Sequence, residues 1–293
     1  MAKTLTIFTP AYNRAYTLHL GYEALLRQTC QDFEWLIIDD GSTDNTRELV
    51  EGWVAENKIP IRYHYQENQG MHGAHNTAYR LITTELNTCI DSDDYMPDDG
   101  VEKIVTFWKQ HGSEKVAGII GLDADFEGNI IGSQFTEKET TLTGFYARGG
   151  KGDKKLVYRT DVITRYPEYP LFPGEKYVSL GYKCELIDQD YTLLTINEVL
   201  VNVEYRPDGS SMNMFRQYIK NPQGFAFIRK SSMQLAPTAK RRFMEAIHYV
   251  SSSLILKNKR FLQESPKKVL TLCAVPFGIA LYLFIRFKTK DIR

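Results

Sequence analysis

The sequence predicts an α/β fold: a mostly parallel sheet with helices on both faces. Three observations carry this. Short apolar runs alternate with amphipathic helical stretches through the first 122 residues, as parallel strands joined by crossover helices require. The first run, "LTIF", reads as a buried strand. Acidic clusters stand at the ends of two such runs, Asp39-Asp40 and Asp91-Ser92-Asp93-Asp94. In sheets of this kind, ligands bind beyond the carboxyl ends of the strands.

In chain order, strands are expected at Leu5–Phe8, Glu34–Asp39 and Ile61–Gln66. Helices are expected at Tyr16–Gln28 and Asn45–Asn57 between them. In the second helix Leu49, Val50, Trp53 and Val54 share one apolar face. Asn45 and Glu48 have the spacing of an N-cap and its N3 partner. "GAHNTAYRLIT" reads as a helix and "LNTCI" as a strand. A helix over Gly100–His111 and a strand over Val116–Leu122 complete this part. Asp98 and Asp99 are expected to open that helix as capping acids.

Beyond Phe126 the pattern weakens, and "ARGGKGDKK" (Ala147–Lys155) reads as a mobile loop. Glu198–Tyr205 is strand-like, and Phe215–Phe261 is helical. Val269–Ile285 carries no charge, and Ser265-Pro266 before it has the form of an N-cap followed by proline. A helix over this run reaches about 26 Å, short of the roughly 30 Å of a bilayer core. Basic residues flank both of its ends. An interfacial or re-entrant membrane helix is the expected reading. A packed helix, in this chain or a homo-oligomer, and a true span are the alternatives.

The 293 residues allow one large domain or a domain with an appendage. Thirty-six basic and 36 acidic residues leave a formal net charge of +0, so a general attraction to nucleic acid is not expected. Cys30, Cys89, Cys184 and Cys273 form neither a disulfide framework nor a zinc knuckle. Reduced thiols in a cytoplasmic protein are expected, and no secretory leader, since the chain enters a strand-like run at once.

Acids crowded at a strand end call for a counter-charge. Hard cations such as Mg2+ take oxygen ligands and complete their shell with phosphate. Asp91 and Asp93 therefore suggest a phosphate-bearing ligand, without naming a reaction. His72 and His75 have no diagnostic metal spacing. Gly70 and Gly73 permit close approach of backbone to a ligand. Arg206 suits a diphosphate, although "RPDG" is also a plain turn signal.

At this point the sequence resembles the family 2 glycosyltransferases. "IFTPAYNRAYTL", "FEWLIIDDGSTDNT", "ENQGMHGAHNTAYR" and "CIDSDDY" resemble four blocks of that family in the expected order. "FPGEKYVSLGYKCELIDQDY" and "EYRPDGSSMN" look like the acceptor side of bacterial members that build surface polysaccharides. The resemblance implies a GT-A, Rossmann-like fold over residues 1–210. Residues 1–122 would hold the nucleotide sugar, and residues 123–210 the acceptor. A helical region, 211–293, would follow with the apolar segment 269–285.

It also implies roles. Tyr12 and Asp40 would contact the base of a nucleoside diphosphate, and Pro10 would shape that pocket. Asn68, Gly70 and His75 would line the donor site. Asp91 would lie by the ribose, and Asp94 would stand beside the metal, behind its ligands or as an additional one. Asp93 would hold Mn2+ or Mg2+ on the diphosphate. Arg206 would face the diphosphate. Glu175, in "GEK" where the family often has a Glu-Asp pair, would be the base of an inverting transfer, with Asp188 and Asp190 as rivals. The donor would be a nucleoside-diphosphate sugar, UDP-sugars foremost. The acceptor would be a lipid-linked or other cell-surface glycan at the inner face of the plasma membrane. Two other classes stay open: a nucleotidyltransferase, which usually wants a glycine-rich phosphate loop, and an inactive sugar-nucleotide-binding scaffold.

Overall fold

The computed structural model describes residues 3–204 and 214–290. The chain forms two compact units, Met1–Pro167 with Asp190–Glu204, and Glu168–Gln189 with Tyr205–Arg293. Residues 168–189 lie in the second of these units.

The first unit begins with β1 (Leu5–Ala11), buried along its whole length. Then come α1 (Leu18–Leu26), β2 (Phe33–Asp39), α2 (Thr46–Glu56), β3 (Ile61–Tyr65), α3 (Met71–Leu81), β4 (Leu86–Cys89), α4 (Gly100–His111) and β5 (Val116–Ala124). Short β6 (Glu139–Thr140) and α5 (Leu142–Ala147) lead to β7 (Lys154–Arg159) and α6 (Thr160–Ile163). After α7 (Gly181–Ile187) of the second unit, the chain returns as β8 (Thr192–Asn202). The second unit continues with α8 (Met214–Lys220), α9 (Pro222–Leu235), α10 (Ala239–Ile255), α11 (Phe261–Glu264) and α12 (Lys268–Lys288).

The eight strands order as β3-β2-β1-β4-β7-β5-β8-β6. β1 pairs parallel to both β2 and β4, and β3 extends that parallel half. β7 enters antiparallel between β4 and β5. Lys154 and Lys155, expected in a mobile loop, are therefore strand residues.

Packing on one face follows from three aromatic rings. Trp53 of α2 stacks on Tyr22 of α1 at 4.3 Å and on Trp35 of β2 at 5.9 Å. Trp35 Nε1 donates to Thr9 Oγ1 at 2.9 Å, so its polar edge is satisfied inside the core. Val50 and Trp53 are buried as expected, but Val54 is exposed on the far side of α2. Capping also differs from expectation. Asn45 makes no side-chain cap bond; Asp44 Oδ1 accepts from the Thr46 amide at 3.1 Å instead. Asp99 occupies the N-cap position of α4 but makes no side-chain cap bond there; Asp98 and Asp99 pair with Arg27 and Lys103, each at 3.0 Å. Gln28 Oε1, reaching from beyond α1, accepts from the Val101 amide at 3.0 Å. A long-range side chain has taken the job a local acid was expected to do.

In the second unit α9, α10 and α12 share a small core of Met233, Ala246, Tyr249, Val250 and Ala274. Glu245 lies buried between Arg229 at 2.7 Å and Arg241 at 2.6 Å. The helix that opens after Ser265 is longer than expected and starts at Lys268. Its proline, Pro276, lies inside it. Gly278 lets α12 approach α10: a Cβ there would lie 2.4 Å from Val250 Cβ. Gly52 in α2, by contrast, faces open space. Gly278→Val is expected to cost about 1–3 kcal/mol through overpacking. Gly52→Ala is expected to gain roughly 0.5–1 kcal/mol of helix propensity. Thermal unfolding of the two variants should show shifts of opposite sign.

Candidate active site

The chain leaves β1 for β2 on one side and later returns to β4 on the other. A topological switch point therefore lies between β1 and β4, where sheets of this kind open a crevice. Pro10 is buried near the end of β1, and Tyr12 just beyond it is 50% exposed. Asn13 follows with φ 52°. Its side-chain Oδ1 accepts from the Thr43 amide at 2.8 Å, and its own amide donates to Ser42 Oγ at 2.9 Å. The loops after β1 and β2 are thereby latched to one another.

Asp39 ends β2 and Asp40 follows it, and both are buried. Asp39 Oδ1 accepts from the Ser42 amide at 2.8 Å, and Oδ2 from the Tyr63 hydroxyl at 2.6 Å. Burial, with that bond to Asp39, pushes the Tyr63 phenol well up. Asp40 reaches the next loop. Its Oδ1 accepts from Gln66 Nε2 at 2.7 Å and from the Gln69 amide at 2.8 Å; its Oδ2 accepts from the Gly70 amide at 2.8 Å. Gly70 stands at the start of α3, so this carboxylate also meets the positive end of that helix. Gly41 lies between the two loops with φ 84°, where a Cβ would come within 2.8 Å of the Asn68 amide nitrogen. No side chain fits there, which accounts for glycine after the two acids.

The second cluster follows β4. Asp94 is buried and Asp91 half-buried. The Asp94 amide donates to the Asp91 carbonyl at 3.1 Å, closing a tight turn. Burial raises Asp91, and Asp93 adds to this, against the pull of Lys155 and Arg14. Asp94 is pushed up to about 8 by burial and by Asp91. Lys155 of β7 sits behind this turn and donates from Nζ to the Cys89 carbonyl at 2.8 Å. Asp123, on β5 beyond β7, is buried and raised to about 6 by burial. Neither Lys155 nor Asp123 was among the residues expected from sequence. Their signal is a strand pairing between distant parts of the chain.

The other expected residues fall as follows. Asn68 and Gly70 flank the loop that Asp40 gathers. His75 is buried inside α3, edge-on to Phe8 at 4.9 Å and 3.2 Å from the Tyr79 hydroxyl. Glu175, in the second unit, is buried, and both of its oxygens accept amides at the start of α9: Gln223 at 2.9 Å and Gly224 at 2.8 Å. Asp190, in the first unit, accepts from the Tyr166 hydroxyl at 2.8 Å. Asp188 ends α7 in the second unit. Arg206 lies outside the described residues.

The turn offers carboxylate oxygens, the donors a hard divalent ion prefers. Among the described residues no three carboxylate, imidazole or thiol side chains converge on one point. The residues therefore fit an ion that takes one or two protein ligands and completes its shell elsewhere.

A family profile described as "Glycosyl transferase family 2" matches residues 6–164, more than half of the chain. The chondroitin synthase of Escherichia coli is 34% identical over 131 residues, 45% of this chain and 19% of that protein. The chain thus spans about a fifth of that relative. S. aureus TarS residues 1–349, solved in complex with UDP-GlcNAc, has a similar fold, with a TM-score of 0.61. That likeness carries 17% identity, covering 94% of this chain and 80% of that one. A mannosyltransferase, PcManGT from Pyrobaculum calidifontis, in complex with GDP-Man and Mn2+, has a TM-score of 0.57 and 17% identity, covering 99% of this chain and 84% of that one. The fold is the GT-A fold.

Asp40→Asn should loosen the loop before α3, because an amide cannot accept at both ends. A loss of roughly 1.5–3 kcal/mol is expected for a charged group with several donors. Hydrogen exchange at Gln69 and Gly70 reads it directly: both amides should lose protection, and unchanged protection would contradict the assignment.

Proposed function

The chain belongs to glycosyl transferase family 2, and from that premise we propose that it moves a sugar, with inversion, from a nucleoside diphosphate to a hydroxyl of a lipid-linked cell-surface glycan. The observation that carries this is the acidic turn Asp91–Asp94 at the switch point between β1 and β4. Tyr12 is assigned to the base of the nucleotide, with Pro10 as the wall of its pocket. Asp40 acts through the Asn68–Gly70 loop that it holds, and His75 supports the same helix from within. Asp91 is assigned to the ribose, and Asp94 to the metal's surroundings beside Asp93. Asp93 would hold the divalent ion, Mn2+ or Mg2+, which neutralises charge on the departing diphosphate when bound. PcManGT with GDP-Man and Mn2+, and TarS with UDP-GlcNAc, support this donor class.

Glu175 is the proposed base, with Asp188 and Asp190 as its rivals. Glu175 accepts one α9 amide at each of its two oxygens, and each oxygen keeps a further lone pair for a proton. Glu175→Gln separates its two jobs. As an anchor of α9 its loss costs about 1–3 kcal/mol of stability; as a base its loss costs roughly 10²–10⁴ in kcat. A variant that melts early yet keeps its turnover transfers the base to another residue.

The membrane assignment rests on α12. A seam of Thr271, Ala274, Gly278 and Ile285 faces the protein. Val269, Leu272, Phe277, Leu283, Phe284 and Phe287 are exposed, and Lys267, Lys268, Arg286 and Lys288 stand at its ends. Phe277 packs on Phe243 and Gly278 on Val250, so α10 accompanies α12. Spanning would carry the buried Glu245 with Arg229 and Arg241 of the same bundle towards hydrocarbon, at high cost. An in-plane position on the cytoplasmic leaflet avoids this, and the basic ends favour anionic headgroups.

Two measurements test the proposal. A nucleotide sugar at 100 times its Kd should stabilise the protein by about 2.7 kcal/mol. A thermal-shift screen of UDP- and GDP-sugars with and without Mn2+ reads this, and Asp93→Ala should abolish the metal-dependent part. No stabilisation and no donor hydrolysis with any sugar would sink the donor assignment. Replacing Leu272, Leu283 and Phe287 by serine should abolish co-sedimentation with phosphatidylglycerol vesicles and leave donor binding intact.

A further inference from the structure

Two lysines adjoin at the start of β7, and they do different things. Lys154 Nζ donates to three carbonyls, Ile131 at 2.9 Å, Lys151 at 3.2 Å and Asp153 at 2.9 Å. Its ammonium is spent on fastening the preceding loop. Lys155 points to the other face of the sheet, as alternation along a strand demands. Its one hydrogen bond among the described residues runs to the Cys89 carbonyl, at the end of β4 and two residues before Asp91. An ammonium has three donors, so two remain.

On its other flank β7 pairs with β5, Lys155 opposite Gly121. Asp123, two residues along on the same face of β5, is 4% exposed, and among the described residues its Oδ1 has no hydrogen-bond partner. One buried acceptor and two ammonium donors thus lie behind the acidic turn. The Cys89 thiol lies 3.7 Å from Asp91 Oδ1.

We propose that Lys155 is a built-in cation of the donor site. It is a positioning residue that ties down the end of β4, balances Asp91, Asp94 and Asp123, and lets the turn receive a nucleoside diphosphate with less reliance on a divalent ion. This rests on the donor assignment above and deepens it. The electrostatics agree. Burial alone would lower Lys155, but Asp123, Cys89, Asp91 and Asp94 outweigh it and hold the ammonium above its ordinary value. The charge is therefore permanent at neutral pH. A fixed positive charge here does two things. It attracts an anionic diphosphate, and it repels a second cation from the same carboxylates.

The test is calorimetry on the full chain with UDP, GDP and Mn2+ as probes. In EDTA, Lys155→Met should weaken UDP or GDP binding about tenfold or more, the effect of one unscreened charge at short range. In saturating Mn2+ the loss should shrink to roughly threefold, as the ion supplies the missing charge. Mn2+ alone should bind the variant about tenfold tighter than wild type. Lys155→Arg should restore nucleotide binding in EDTA, which a purely steric role does not predict. Where Lys155→Met folds poorly, Lys155→Met with Asp123→Asn removes opposite charges together and should still lose nucleotide affinity in EDTA. Unchanged nucleotide affinity in EDTA, or Mn2+ affinity no tighter than wild type, overturns the inference while leaving the donor assignment standing. Wild-type protein that binds neither nucleotide with or without Mn2+ overturns both.

Discussion

Carboxylates at the carboxyl ends of neighbouring parallel strands repel one another, and partial burial removes the water that would screen them. The first unit is arranged around this constraint. β2 ends in Asp39-Asp40, and the segment after β4 holds Asp91, Asp93 and Asp94. Only β1 separates β2 from β4. The chain answers the two concentrations of charge by different means. At β2 it supplies neutral donors: amides of Ser42, Gln69 and Gly70, the Gln66 side chain and the Tyr63 hydroxyl. At β4 it supplies a lysine from an inserted strand and leaves the carboxyls pushed upward.

This difference divides the labour of the crevice. Every oxygen of Asp39 and Asp40 already has a partner, so that side is preformed and the loops it gathers are fixed before any ligand arrives. Preformed loops cost no ordering on binding. The Asp91–Asp94 side is rich in acids: three in the turn and Asp123 nearby, set against Lys155 and Arg14. It gains stability from any cation that arrives, and a metal–diphosphate pair brings a cation and hydrogen-bond acceptors together. A rigid side that orients and a charged side that responds are what a donor site needs.

The sequence makes one class of feature legible. Periods of 2 and 3.6 are local, so β1 to β5 and α1 to α4 emerge within a few residues of their observed bounds. Asp40 and Asp91 are legible for the same reason, since each stands directly after an apolar run. What depends on distant pairing is not legible. Lys155 lies in a Gly- and Lys-rich stretch whose composition reads as a loop, and only the insertion of β7 beside β4, 66 residues away, turns it into a site residue. The α4 cap is a second case: Asp98 and Asp99 are well placed locally, yet Gln28, 73 residues away, makes the bond. Local propensity cannot see a competitor from another element.

Glu175 marks the same boundary in a different way. An acid placed to take a proton and an acid placed to hold a helix look identical in sequence, since each needs only a carboxylate after a turn. The geometry separates them. Two amides at the α9 start point at the two oxygens of Glu175, and hydrogen bonds to a charged group are worth about 1.5–3 kcal/mol each. The stretch also carries Lys176, whose amide donates to Asn221 at 2.7 Å, next to the start of the same helix. "GEK" is thus a docking point for α9 through both a side chain and the backbone. Each oxygen of Glu175 keeps a lone pair beyond the amide it accepts, so a proton taken there would share an oxygen with a bond to α9. A base at this position would therefore be coupled to the first turn of α9 through the same two oxygens.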